Sequence, residues 1–99
     1  MKYVIWLSND CTSVKEIVKA LQSSDIEVDL LLVQDGVYLA DKGCPEANEL
    51  KELRMNIHAL RNHVEERGIT GRLSIDVNLI DYPEVVDLLM EKADKIISL

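Results

Sequence analysis

Two thiols and two imidazoles are the side chains of this 99-residue sequence whose chemistry reaches beyond charge and packing. Cys11 and Cys44 each stand at a helix-start signal: Ser13-x-x-Glu16 follows Cys11, and Pro45-Glu46 follows Cys44 directly. The positive end of a helix favours a thiolate, so both placements favour a reactive thiol. Asp10 beside Cys11, and Glu46 and Glu49 near Cys44, oppose the same ionisation. Cys11 and Cys44 are therefore the candidate reactive residues, each with a plain structural thiol as its alternative.

Other cysteine and histidine chemistries are excluded by spacing. A phosphatase or rhodanese-type loop places an arginine shortly after its nucleophilic cysteine, and here no arginine precedes Arg54. There is no Cys-x-x-Cys pair. His58 and His63 are five positions apart, off one helical face, so no zinc site is expected. His58 reads as a strand-end hydrogen-bonding residue and His63 as a solvated helix residue. Asn9-Asp10 invites comparison with a magnesium-binding receiver domain, but the acid and lysine that such a domain needs later are missing. Ser8, Thr12 and Ser13 echo a flavodoxin phosphate loop in a chain short for that fold. No metal or cofactor is expected.

These residues need a scaffold, and the hydrophobic pattern supplies one. Tyr3 to Leu7 is an apolar run bounded by polar residues, which predicts a buried strand. Val14, Ile17, Val18 and Leu21 give one apolar helical face behind the Ser13/Glu16 capping box, ending near Ser23-Ser24. Leu30 to Val33 is apolar on both strand faces, the habit of a parallel strand between helical layers. Gln34-Asp35-Gly36 ends it, and Val37 to Asp41 reads as a short helical turn. Pro45 opens a helix with Ala47, Leu50 and Leu53 inside. Met55 to Ala59 predicts a third, less buried strand. Asn62-x-x-Glu65 suggests another capping box, with Arg67-Gly68 as the helix exit. Val77 to Ile80 predicts a fourth strand. Asp81-Tyr82-Pro83-Glu84 opens a helix with Val85, Val86, Leu89, Met90 and Ala93 on one broad face. Lys95 to Leu99 is a fifth strand.

Strands alternate with helices throughout, without repeat or linker. The expected fold is one α/β domain over residues 1–99, a three-layer α/β/α sandwich around a five-stranded parallel sheet. The pattern leaves strand order open. In such sheets, sites form at the carboxyl ends of the strands, here Ser8 to Cys11, Gln34 to Gly36, His58 to Asn62, and Asp81-Tyr82.

Composition limits the function. Hydrophobic residues make up 47% of the chain, enough for one aliphatic core, with Phe absent. A chain this short leaves apolar rim exposed, so an oligomer is expected. The formal charge is −7 and basic residues are scattered, so tight, direct nucleic-acid binding is not expected. The N-terminal stretch is not expected to be a signal peptide, since its apolar run covers only Tyr3 to Leu7, and no run approaches the roughly 20 apolar residues of a membrane span. A cytoplasmic protein with reduced thiols is expected.

Three segments in order resemble the DsrH/TusB family: Leu30 to Val37 with its Gln-Asp-Gly-Val turn, His58-Ala59-Leu60 with the Arg67-Gly68-Ile69-Thr70-Gly71 exit, and Leu79-Ile80-Asp81-Tyr82. The resemblance covers roughly residues 28 to 90 and implies the five-stranded sandwich already expected. It also implies a multi-subunit sulfur relay, serving either tRNA wobble-uridine 2-thiolation or dissimilatory sulfur oxidation, with homologous DsrE/DsrF (TusD/TusC)-like subunits or further copies as partners. In DsrE/TusD subunits a cysteine near the end of the third strand carries the sulfur. The comparable stretch here, Ile57 to Arg61, has none, which resembles the non-catalytic DsrH/TusB branch. The expected role is an accessory subunit. The alternatives are a persulfide carrier using Cys11 or Cys44, and a stand-alone small-molecule or regulatory binding domain.

Overall fold

In a computed structural model the chain forms five parallel strands in the order β4-β3-β2-β1-β5. The structure describes residues 1–9, 13–73 and 76–99. The strands are β1 (Lys2–Leu7), β2 (Glu27–Leu32), β3 (Asn56–Leu60), β4 (Asn78–Ile80) and β5 (Lys95–Ser98). Between them run α1 (Lys15–Gln22), a 3-10 helix (Gln34–Ala40), α2 (Ala47–Leu50), α3 (Arg61–Glu66) and α4 (Tyr82–Asp87), which continues as a π-helical turn over Leu88–Lys92.

The strand order explains the layers. From β1 to β4 the chain steps across the sheet in one direction, and right-handed crossovers then place every connection on one face. The core on that face joins Ile5, Leu30, Leu32, Ile57 and Ala59 to Val14 and Val18 of α1, Val37 and Leu39 of the 3-10 helix, Leu50 of α2 and Val64 of α3. The last crossover returns from β4 to β5 past β1, so α4 lies on the other face. There Val4, Leu31, Leu60 and Ile80 pack against Val85 and Leu88. The expected sandwich is present, with unequal outer layers. β2 is central, and Leu30, Leu31 and Leu32 are wholly buried, as its two-faced apolar pattern predicted. Truncating one of these leucines to alanine removes about 2–5 kcal/mol.

Several local expectations give way to tertiary partners. Ser13 does not cap α1: the helix begins at Lys15 with Val14 as N-cap, and the Ser13 hydroxyl donates instead to Glu49 Oε2 at 2.7 Å. α3 starts at Arg61 straight from β3, so no Asn62/Glu65 box forms. The helix after Pro45 is a single turn, Ala47–Leu50. On α4, Val86 and Met90 point to solvent, and the inner positions are Val85, Leu88, Leu89 and Ala93. The i→i+5 bond from Ala93 N–H to Leu88 C=O marks the wide turn that ends the helix.

Other signals act as read. Asp81 and Glu84 form a reciprocal capping box at α4, with Pro83 in its first turn. Gly68 takes φ +66° after α3. Its N–H bonds to Glu65 C=O and the Ile69 N–H to Val64 C=O, the pair of bonds of a Schellman exit.

Candidate functional site

The carboxyl ends of the strands are tied together by arginine–aspartate pairs. Behind β2, Gln34 stands at φ +50°, a left-handed conformation unfavourable for a residue with a side chain. Its N–H donates to His63 Nδ1 of α3 at 2.7 Å, which compensates that conformation and fixes the imidazole with its hydrogen on Nε2 when neutral. Asp35 then meets Arg67 at 3.1 Å, from Nε and from Nη2. A side chain at Gly36 would overlap the Leu7 carbonyl, so only glycine lets the 3-10 helix pass so close to the end of β1. His63 is thus half-buried and bonded, not a solvated helix residue as its position suggested.

Two further pairs cross-link the chain. Arg61, at the end of β3, bonds Asp81 at 3.2 Å and the Leu79 carbonyl at 3.2 Å, linking β3 to the start of α4. Arg72 holds Asp41 through Nε at 2.8 Å and Nη2 at 3.2 Å. The Arg72 bonds, opposed by burial and aided by the Gly43 N–H, keep the Asp41 carboxyl below its ordinary value.

The two candidate cysteines fare differently. Cys11 lies outside the described residues, so neither its surroundings nor a helix-start effect on it enters the geometry. Cys44 is buried in the larger core, with its sulfur 3.4 Å from Glu46 Oε2. Its backbone carbonyl accepts from Ala47 N–H, ahead of a helix too short to carry much of a dipole. Burial keeps a large persulfide donor away from this sulfur.

His58 lies within β3, not at its end. Its Nε2 is 3.1 Å from Oδ2 of the buried Asp29, and Lys2 Nζ is 3.6 Å from the same oxygen. Burial alone would push the Asp29 carboxyl up, but the His58 hydrogen bond and the Lys2 charge outweigh it and hold the carboxyl low. His58 Nδ1 is buried with no hydrogen-bond partner among the described residues, and the His58 side chain lines a small cavity of about 120 Å³ with Glu84, Asp87 and Lys92. An aspartate interrupting the apolar run Val28 to Val33 was the available sign of this cluster, and spacing alone missed it. A wider cleft, about 790 Å³, opens elsewhere, at the amino ends of β2 and β3 among Lys19, Gln22, Glu27 and Arg54. Among the described residues, no three His, Cys, Asp or Glu side chains gather as metal ligands, and no helix is long and apolar enough to cross a membrane.

The residues that build this edge coincide with a known family. Residues 8–95 match the family described as DsrH like protein. The chain belongs to the DsrH-like family. Protein TusB of Escherichia coli is 35% identical to this DsrH-like chain over 69 residues, covering 70% of the chain and 73% of that protein. Protein TusB of Salmonella arizonae is 35% identical over 66 residues, covering 67% and 70%. Among solved structures, the ychN protein from E. coli superposes with TM-score 0.76 at 17% identity, covering all of both chains. A protein of unknown function from Methanobacterium thermoautotrophicum gives TM-score 0.78 at 14% identity, covering 99% of this chain and 98% of that one. Those structures establish the fold of the DsrH-like chain. The three segments that resembled the family are the ones that the arginine–aspartate pairs hold together: Asp35 with Arg67, and Arg61 with Leu79 and Asp81.

Proposed function

We propose that this chain is an accessory subunit of a sulfur-relay assembly, with the sulfur-carrying cysteine supplied by another chain. The TusB relatives favour the tRNA 2-thiouridine branch over dissimilatory sulfur oxidation. One observation carries the reading. At the carboxyl end of β3, where a DsrE/TusD-type subunit would hold its sulfur, this DsrH-like chain has Leu60 buried and Arg61 committed to Asp81 and the Leu79 carbonyl. The position is filled by a structural cross-link.

In this role the chain works by shape and by its partners. The cross-linked carboxyl edge presents a fixed surface, and its acidic charge leaves contact with tRNA to other subunits. Homologous DsrE/DsrF (TusD/TusC)-like subunits are the proposed partners and the cytoplasm the proposed location.

The test is reconstitution with DsrE- and DsrF-type subunits of the same cell, followed by measurement of 2-thiouridine in tRNA and of persulfide on every chain. Omitting this chain should abolish or sharply lower thiolation, while persulfide accumulates on a partner cysteine. Full thiolation without it would overturn the proposal.

A further inference from the structure

The two faces of the sheet are covered unequally. Five strands about 4.8 Å apart make a sheet roughly 20 Å wide, whereas one helix with its side chains is about 10 Å across. On one face α1, the 3-10 helix, α2 and α3 share the cover, and on the other, among the described residues, α4 with its π-turn is alone. The uncovered margins differ in chemistry. Towards β4 the margin is mixed, with His58, Asn78 and Arg61 beside Val77, Leu79 and Ile80 along an open groove. Towards β5 it presents one large apolar side chain, Ile96. Ile96 pairs with Val4, whose side chain packs under α4, so Ile96 shares that face, yet it is 49% exposed.

α4 carries a matching stripe. Tyr82, Val86 and Met90, spaced by four, are 54%, 57% and 77% exposed. Three consecutive apolar positions on one helix flank are more than scattered surface hydrophobics. Charge then identifies the occupant. From its cap Asp81 to Ala93, the α4 segment holds Asp81, Glu84, Asp87 and Glu91 against Lys92 alone, a net of −3 in a chain of −7. Asp87 and Glu91 each follow a stripe residue and form the next row out. A second copy would set two such acidic rows against each other, whereas a basic frame would meet them favourably.

We propose that Tyr82, Val86, Met90 and Ile96 form the docking surface for a different protein subunit, one whose contact face has an apolar centre framed by Lys and Arg. The proposal rests on the accessory-subunit reading and adds to it where the contact lies and what its partner's surface must be. Asp87 and Glu91 steer the encounter, and Val86 and Met90 supply the buried centre.

The probes are the DsrE-type and DsrF-type subunits of the same cell, each purified and titrated against this chain by calorimetry at low and moderate salt. The wild-type chain should bind one of them, more weakly as salt rises. V86E/M90E should weaken binding by about 30-fold or more, as loss of a central contact does. D87K/E91K should weaken it by about tenfold and flatten its salt dependence. All four positions are exposed, and unchanged circular dichroism and melting will establish that the variants fold. If one does not, the other decides. A wild-type complex that both variants leave intact would overturn the surface while sparing the functional reading. Wild-type chain that binds neither subunit would overturn both. A homodimer that tightens with salt and is lost in V86E/M90E would overturn the choice of occupant.

Discussion

Arg72 grips Asp41 through two guanidinium nitrogens, at 2.8 and 3.2 Å, across 31 positions of sequence. Asp41 is buried at the exit of the 3-10 helix, and its Oδ2 also accepts the Gly43 N–H at 2.9 Å. Lys42 N–H bonds the Arg72 carbonyl, so side chain and backbone pin the same two loops together. Arg61 and Asp81, in contrast, are both about half exposed. Removing Arg72 leaves Oδ1 of a buried carboxylate without its hydrogen bond, whereas an exposed pair is replaced by water. Arg72→Ala should therefore lower the urea midpoint clearly, and Arg61→Ala only slightly. Equal effects in equilibrium unfolding would refute this ranking.

Acid should destabilise the fold through Asp29 and Asp41. Both carboxyls are held below their ordinary value of 3.8 in the folded chain. Above that value they are charged in folded and unfolded chains alike, and their contribution is fully present. As pH falls through 3.8 the unfolded chain takes up protons first, and the contribution is lost on the way down to the folded value. Urea midpoints should hold steady on this account at about pH 6 and fall towards about pH 3. Asp29→Asn and Asp41→Asn should each flatten that fall, and an unchanged slope would rule their residue out.

Two glycines should respond in opposite ways. Gly36→Ala drives a methyl group into the Leu7 backbone and should cost about 1–3 kcal/mol or more. Gly71 has open space around it and no left-handed backbone, so Gly71→Ala should be neutral or stabilise by about 0.4–1 kcal/mol. Thermal melts of the two variants decide the matter, and a harmless Gly36→Ala would mean that the 3-10 helix can lift away from β1.

Cys44 should prove structural. Cys44→Ser places a hydroxyl in the larger core and should cost about 1–2 kcal/mol, with thiolation by the reconstituted complex unchanged. Replacing Cys11 as well should also spare thiolation. A mass gain of one sulfur on Cys11 or Cys44 after incubation with a persulfide donor, then passed to a partner cysteine, would reverse this assignment.

What the sequence determined by itself was set by local periodicity and backbone chemistry. The five strands, the doubly apolar β2, the inner face of α1, the Asp81/Glu84 cap and the Gly68 exit depend on neighbours within a few residues, so their signals survive without the fold. The absence of a cysteine after β3 was equally legible. Only the tertiary structure decided the rest, because it turns on partners far apart in the chain. Ser13 abandons its own helix for Glu49, and His63 serves the Gln34 N–H. Asp29 is tolerable inside the sheet only because β1 and β3 bring Lys2 and His58 beside it. Val86 and Met90 carry the periodicity of a buried face, but α4 seats on the sheet through Val85, Leu88 and Leu89, which leaves their flank outward. Hydrophobicity marks a residue as wanting cover, and topology settles whether this chain or another provides it.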